Sequence, residues 1–131
     1  YETFKCRIRL TENDTLCSSH YRIQEALDWD NDHLLSFFMD NTIWSRKAEY
    51  SANPFGEGSA DTHLKNVLGE NTGQKFAYLF DYGDEHLFEI EVIEVERVDD
   101  LEKINFGVIG IKGKVPQQYN FFDGDADYEA Q

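Results

Sequence analysis

The stretch that most constrains the fold is residues 76–96, FAYLFDYGDEHLFEIEVIEVE, in which two alternating runs meet at a Gly-Asp turn. Large apolar side chains recur at alternate positions along each run, so that they share one face of a strand. The apolar positions are Phe76, Tyr78, Phe80 and Tyr82 in the first run and Phe88, Ile90 and Val92 in the second. The pattern predicts a long β-hairpin in a soluble globular domain, and it does not indicate what the domain does.

The length of the hairpin loop decides which side chains face the core. A two-residue loop of Gly83 and Asp84 would leave glutamates on the apolar face, whereas adding Glu85 makes that face aromatic and aliphatic throughout. Because a one-residue slip moves every side chain to the opposite face, we predict the three-residue loop. The predicted pairs are Tyr82 with His86, Phe80 with Phe88, Tyr78 with Ile90, and Phe76 with Val92.

The remaining elements are predicted from similar patterns. Alternation predicts strands over residues 4–10 and 106–114, and apolar runs predict neighbouring strands over residues 33–39 and 44–50. A helix is expected to begin at Ser18 or Ser19 and to reach Trp29, and Asp61 is expected to cap a shorter helix that Gly69 closes. The alternation changes phase at residues 92–93, which predicts a bulge there or a point where the strand passes between two layers.

These elements predict a single α+β domain over residues 1–120. Its mostly antiparallel sheet is built around the central hairpin and is packed by two or three helices. A chain of 131 residues is long enough to bury a core without disulfides or metal ions. Residues 121–131 carry acidic side chains at alternate positions and are expected to form a disordered tail.

The chain is strongly acidic, with 26 acidic and 12 basic residues and a net charge of -14. A surface with that charge repels the phosphates of nucleic acids, so we expect a protein partner and no nucleic-acid partner. Lys5, Arg7 and Arg9 share one face of the first predicted strand. Three basic residues in that pattern are typical of a solvated or edge-guarding strand face.

Cysteine usage and hydropathy bear on the compartment. Cys6 and Cys17 show no metal-ligand spacing and no disulfide framework, which favours a reducing, cytoplasmic location. The chain has no apolar run of membrane-spanning length and no charged-then-apolar leader, so we expect no membrane association.

Three blocks of sequence carry a family resemblance. They are IQEALDWDNDHL at residues 23–34, FAYLFDYGDE at residues 76–85 with FEIEV at residues 88–92, and GKVPQQY at residues 113–119. Together they resemble the plasmid Ri open-reading-frame-three-like family, which also carries the label of an insertion-element passenger "resolvase". The resemblance covers residues 4–119 and implies an α+β domain with a mixed or antiparallel sheet and packed helices. It implies little about activity, and the chain has no sign of recombinase chemistry.

The chain departs from the family pattern at its histidines. Many relatives have a second histidine where Leu35 stands, in the segment Asp32-His33-Leu34-Leu35. Relatives also tend to have tryptophan at the position of His86. Only His33 therefore matches the histidine pattern that the resemblance implies.

The candidate site consists of His33, Asp81, Asp84, Glu85 and His86. Imidazole and carboxylate groups together suit zinc or manganese and also suit proton transfer. The alternative is that Gly83 adopts positive φ in the turn while Asp81 and Asp84 accept hydrogen bonds from turn amides. We favour this structural interpretation, in which no metal and no cofactor is expected and a side chain at Gly83 is destabilising.

Other polar side chains are weaker candidates. His20 and His63 stand at predicted helix starts, where surface exposure is the default, and neither is assigned a catalytic role. Two classes of function remain open. The leading hypothesis is a non-enzymatic protein-interaction module with an acidic surface, and the alternative is a metal-dependent hydrolase or mobile-element-associated protein that uses the His/Asp cluster at the hairpin tip.

Overall fold

The computed structural model describes residues 3–119, which form one α-helix and six strands in two antiparallel sheets. The larger sheet has the strand order β3-β2-β4-β5, and β1 pairs with β6 in a separate two-stranded sheet. The elements are β1 (Lys5–Arg9), α1 (Leu16–Leu27), β2 (Leu35–Phe38), β3 (Glu49–Ala52), β4 (Lys75–Phe80), β5 (His86–Glu91) and β6 (Gly107–Lys112). The α+β class is therefore confirmed, whereas the described residues contain one α-helix rather than two or three. The predicted acidic tail lies outside the described residues.

Short 3-10 helices account for part of this difference. They are Arg46–Ala48, Leu64–Asn66 and Leu101–Lys103. The helix predicted after Asp61 is the second of these, Leu64–Asn66. Its N-cap residue is His63 rather than Asp61, and the His63 side chain makes no capping hydrogen bond. The strand predicted over residues 44–50 begins later, at Glu49, because residues 40–45 form a turn closed by bonds to Asp40 and Arg46–Ala48 form a 3-10 helix.

The central hairpin has a longer loop than the sequence predicts. Phe80 pairs with His86 and Tyr78 pairs with Phe88, which leaves a five-residue loop at positions 81–85. The predicted pairs are therefore wrong by two residues. Since a shift of two residues preserves the faces, Phe80 and Phe88 still lie on the same face, with Phe80 fully buried and Phe88 half-buried.

The loop is longer because two of its residues adopt left-handed backbone conformations. Asp81 has φ 69° and Glu85 has φ 50°, and the amide of Glu85 donates to the carbonyl oxygen of Asp81 at 2.7 Å. This hydrogen bond closes a turn one residue wider than a β-turn. Strand β5 ends at Glu91, so the phase change at residues 92–93 lies beyond the strand rather than within it.

The helix α1 begins one turn earlier than its predicted caps. Thr15 is the N-cap, and its side chain accepts from the amide of Ser18 while the Ser18 hydroxyl accepts from the amide of Thr15. This reciprocal pair is a capping box, with serine in the position usually held by glutamate or glutamine. The helix ends at Leu27, and its C-cap residue, Asp28, has φ 56° in the left-handed region.

One hydrophobic core joins α1 to the inner face of the larger sheet. The fully buried core side chains include Leu16 from the helix and Leu35, Phe37, Tyr78 and Phe80 from the sheet. Ile8 of β1 packs against the same core, as do Phe4 and Leu10 on either side of the strand. No helix among residues 3–119 is long and apolar enough to cross a membrane.

Candidate functional site

Asp81 anchors the hairpin loop from a nearly buried position, with 7% of its surface exposed. Its Oδ1 atom accepts from the amide of Gly83 at 3.1 Å and from the amide of Asp84 at 3.3 Å. The amide of Asp81 donates to the carbonyl oxygen of Leu34 at 3.0 Å, which ties the loop to the start of β2. The side chain of Asp81 therefore satisfies the amides that the turn leaves unpaired.

Gly83 and Asp84 do not have the roles that the turn pattern predicts. The backbone of Gly83 is outside the left-handed region, so the expectation of positive φ at this residue is wrong. The carboxylate of Asp84 is 57% exposed and lies 4.0 Å from Nε2 of His86, beyond hydrogen-bond distance. Hydrogen bonds to the turn amides explain the presence of Asp81. They do not explain the presence of Asp84, whose carboxylate accepts none of them.

His33 lies beside the loop because it precedes β2, which pairs with β4. Its Nε2 atom is 3.4 Å from Oδ2 of Asp81 and 3.2 Å from Oδ1 of Asp32. Its ring meets Phe80 edge-on, with ring centroids 5.8 Å apart. His33 is thus held between two carboxylates and contacts Asp81 on the oxygen opposite the turn amides.

His86 is the first residue of β5 and lies against Trp29. The two ring centroids are 4.6 Å apart. The Nε2 atom of His86 is buried and has no hydrogen-bond partner; among the described residues, Oε1 of Gln24 is the other buried side-chain atom in that condition. A buried polar atom without a hydrogen-bond partner lowers the stability of the fold, so such atoms often indicate a bound ion, water or ligand.

The five candidate residues do not all converge. One ligand atom each from Asp81, Asp84 and His86 lie within 4.8 Å of one another, and His33 borders this group through Asp81. Glu85 points elsewhere, since its Oε2 atom accepts from Nε1 of Trp44 at 3.3 Å. The structure therefore brings four of the five residues together at one end of the larger sheet.

The expectation that His20 is exposed at the start of a helix is wrong. His20 is fully buried, with Nδ1 2.6 Å from the hydroxyl oxygen of Tyr78 and Nε2 2.9 Å from Oδ1 of Asn31. Burial lowers the pKa of His20 to about 4. Its spacing from Leu16 and Leu27 places it on the buried stripe of α1, which is the signal that identifies it.

A groove lies between the end of α1 and residues 115–119, and it includes Trp29, which contacts His86 at the hairpin. Its volume is about 260 Å³, and Trp29, Asp30 and Tyr119 are among its lining residues. Trp29 donates from Nε1 to the carbonyl oxygen of Pro116 at 2.9 Å, and Gln118 bonds both backbone groups of Asp30. These bonds fix Trp29 and hold its ring against His86.

Comparisons with known proteins agree with the resemblance described above. The model of the plasmid pRiA4b ORF-3-like protein family matches residues 4–123. The solved structure of a protein of unknown function from Methanosarcina mazei Go1 is similar, with a TM-score of 0.58 and 22% sequence identity. That match covers 81% of this chain and 60% of the archaeal chain, so this chain spans less than two thirds of its structural neighbour. No curated protein matches the chain.

Proposed function

We propose that this chain, which belongs to the plasmid pRiA4b ORF-3-like family, is a non-enzymatic protein-interaction module that binds a basic, extended segment along strand β5. Strand β5 ends the order β3-β2-β4-β5, and within residues 3–119 it pairs with β4 alone. This edge is the observation that carries the proposal. An edge strand presents unpaired backbone groups with which another chain can extend the sheet.

The direction of the backbone groups at this edge follows from the end of the hairpin. The amide of Val92 donates to the carbonyl oxygen of Gln74 at 2.9 Å, and the carbonyl oxygen of Val92 accepts from the amide of Gly73 at 2.7 Å. The polar groups of Val92 therefore point toward β4. Backbone groups alternate in direction along a strand, so those of residues 86, 88 and 90 point toward β4 as those of Val92 do. The backbone groups at positions 87, 89 and 91 therefore point outward, away from β4.

The side chains at and beyond this edge favour a partner that alternates basic and apolar residues. Leu87, Ile93 and Val95 are 50%, 52% and 50% exposed. Exposed glutamates stand between them at positions 89, 91 and 94, and another follows Val95 at position 96. Opposite charges on paired strands stabilise a sheet and like charges destabilise it, so this edge disfavours a second copy of the chain and favours a basic segment.

The test uses a short peptide of alternating lysine and valine and a matched peptide of alternating glutamate and valine. Amide chemical shifts and hydrogen exchange are followed by NMR as each peptide is added. We expect the lysine peptide alone to shift the β5 amides and to slow exchange most strongly at Leu87, Glu89 and Glu91. Shift changes that map to another surface, or equal effects of both peptides, would overturn the proposal.

A pair of charge variants separates strand addition from general attraction between charges. Replacing Glu91→Gln together with Glu94→Gln is expected to weaken binding of the lysine peptide about fivefold, since cross-strand charge pairs contribute up to about 1 kcal/mol. The matched control, Asp99→Asn with Glu102→Gln, removes the same charge from exposed residues outside the 87–96 segment. An equal loss of affinity in both double variants would contradict binding along β5.

A further inference from the structure

We infer that Asp81, Asp84 and His86 form a binding site for a divalent transition-metal ion such as Zn²⁺ or Mn²⁺, and that His33 positions Asp81 within it. The three residues offer two carboxylate oxygens and one imidazole nitrogen within 4.8 Å of one another. The site lies at the hairpin loop and does not depend on binding along the β5 edge.

The unpartnered nitrogen of His86 is the first reason for this assignment. Its Nε2 atom is buried without a hydrogen-bond partner, and the nearest carboxylate oxygen, of Asp84, is 4.0 Å away. That separation is too long for a hydrogen bond. Donor atoms bound at about 2.0–2.2 Å in a tetrahedral site lie about 3.4 Å apart, so a movement of the Asp84 carboxylate by about 0.6 Å would allow both groups to bind one ion.

The way Asp81 is held is the second reason. Its Oδ1 atom is occupied by the amides of Gly83 and Asp84, and its Oδ2 atom lies 3.4 Å from Nε2 of His33. His33 is held in turn by Asp32 at 3.2 Å. Metal-binding carboxylates are commonly oriented by such outer contacts, which keep a ligand in place before the ion arrives.

The remaining ligand can move to close the site. Asp84 is 57% exposed and follows Gly83, so its carboxylate can approach the His86 nitrogen without disturbing the core. Trp29 fixes the other side, because its ring lies 4.6 Å from the His86 ring and its indole nitrogen bonds Pro116. The site thus combines two held residues with one adjustable residue.

The donor set decides which ions fit. A nitrogen ligand with two carboxylates suits first-row transition ions, whereas Ca²⁺ and Mg²⁺ favour sites made of oxygen atoms. Two carboxylates and a neutral imidazole carry a charge that a divalent ion offsets. Three protein ligands leave coordination positions for water, as in open zinc sites.

The first test localises the ion in the wild-type protein. Untagged, chelator-treated protein is titrated with Mn²⁺, whose unpaired electrons broaden nearby NMR signals. We expect broadening to be strongest for the amides at positions 81–86 and for the indole N–H of Trp29. Broadening that is strongest at other acidic segments, such as residues 94–102, would overturn the assignment.

The second test compares variants by Zn²⁺ calorimetry and thermal melting. Asp84→Asn and His86→Gln are each expected to lower Zn²⁺ affinity at least tenfold and to abolish the rise in melting temperature that Zn²⁺ produces. Two matched controls, Asp99→Asn and His63→Gln, make the same chemical changes outside the cluster and are expected to bind as the wild type does. Asp84→Asn is expected to leave the metal-free protein as stable as the wild type or more stable, because the loss of the Asp84 charge relieves its repulsion from the Asp81 carboxylate.

Each remaining outcome of these measurements is decisive. Equal stabilisation by Ca²⁺ and Zn²⁺ would show general screening of acidic charge and would contradict a transition-metal site. Retained Zn²⁺ binding in His86→Gln would contradict it as well, and the broadening experiment needs no variant to fold. Loss of peptide binding at β5 with an intact metal response would remove the proposed function and leave this inference standing.

Discussion

The Nδ1 atom of His20 and the hydroxyl oxygen of Tyr78 lie 2.6 Å apart in the interior of the domain, where both residues are fully buried. Nε2 of His20 faces Oδ1 of Asn31, which can only accept, so this nitrogen carries the proton of a neutral ring. Nδ1 of His20 then accepts from Tyr78, whose oxygen accepts from Nε2 of Gln24 at 3.0 Å. The helix and the sheet are joined by a hydrogen-bond chain that requires neutral histidine.

This chain predicts a loss of stability in mildly acidic solution. Burial lowers the pKa of His20 from 6.5 to about 4, so between these values the unfolded chain binds a proton that the folded protein does not. The contribution of His20 to the free energy of unfolding is constant above pH 6.5 and falls as the pH drops toward 4. The expected loss is about 3 kcal/mol in all, to be measured by urea unfolding at a series of pH values.

The variant His20→Gln isolates this contribution from the other titrating groups. Glutamine keeps a donor and an acceptor without a titrating ring, so the difference in unfolding free energy between wild type and variant is expected to change between pH 6.5 and 4. A difference that stays constant over this range would show that His20 is not the responsible group.

Removing the Tyr78 hydroxyl is expected to destabilise the protein by about 2 kcal/mol. The variant Tyr78→Phe leaves Nδ1 of His20 and Nε2 of Gln24 without their shared partner in the core. The matched control is Tyr21→Phe, because the Tyr21 hydroxyl lies on the surface 3.5 Å from the carbonyl oxygen of Pro54. Chemical unfolding that gives both variants the same stability would contradict a structural role for the buried chain.

Weak binding to double-stranded DNA is the expected result of the net charge of -14. Acidic surfaces gain nothing from counterion release, so the dissociation constant at physiological salt is expected to be weaker than about 10⁻⁶ M. Fluorescence anisotropy with labelled duplex DNA measures it. Tighter, salt-dependent binding would contradict the expectation drawn from the net charge.

The hairpin shows how far local patterns determine the fold. Alternation places Phe80 and Phe88 on one face, because the period of two is a property of the strand itself. The loop length escaped the same reasoning, since a shift of two residues preserves both faces. What selects the five-residue loop is the left-handed backbone of Asp81 and Glu85, which no hydrophobic pattern encodes.

The candidate site was predictable from the sequence only where its residues are close together along the chain. Asp81, Asp84 and His86 are close in sequence, so the hairpin brings them together directly. His33 joins them because β2 pairs with β4, and Glu85 leaves them because its side chain reaches Trp44. The buried position of His20 depends on where α1 begins, and the cap at Thr15 moves that start one turn ahead of the predicted serines.

Two glycines are expected to respond very differently to alanine. A Cβ atom at Gly83 would lie 3.5 Å from Oδ1 of Asp81, an ordinary contact, and its backbone is not left-handed. Gly58 has φ 145°, and a Cβ atom there would overlap the carbonyl oxygen of Ser51. We therefore expect Gly83→Ala to change stability by less than about 0.5 kcal/mol and Gly58→Ala to cost more than about 2 kcal/mol.

Thermal and chemical unfolding of the two glycine variants distinguish backbone strain from side-chain bonding in the hairpin loop. If Gly83→Ala is as destabilising as Gly58→Ala, the loop needs glycine for its backbone. If Gly83→Ala is tolerated while Asp81→Ala is costly, the loop is held by the Asp81 carboxylate and its two amide bonds, and the freedom of glycine is not required there. The second result is the one expected, because the strained backbone angles belong to Asp81 and Glu85 rather than to Gly83.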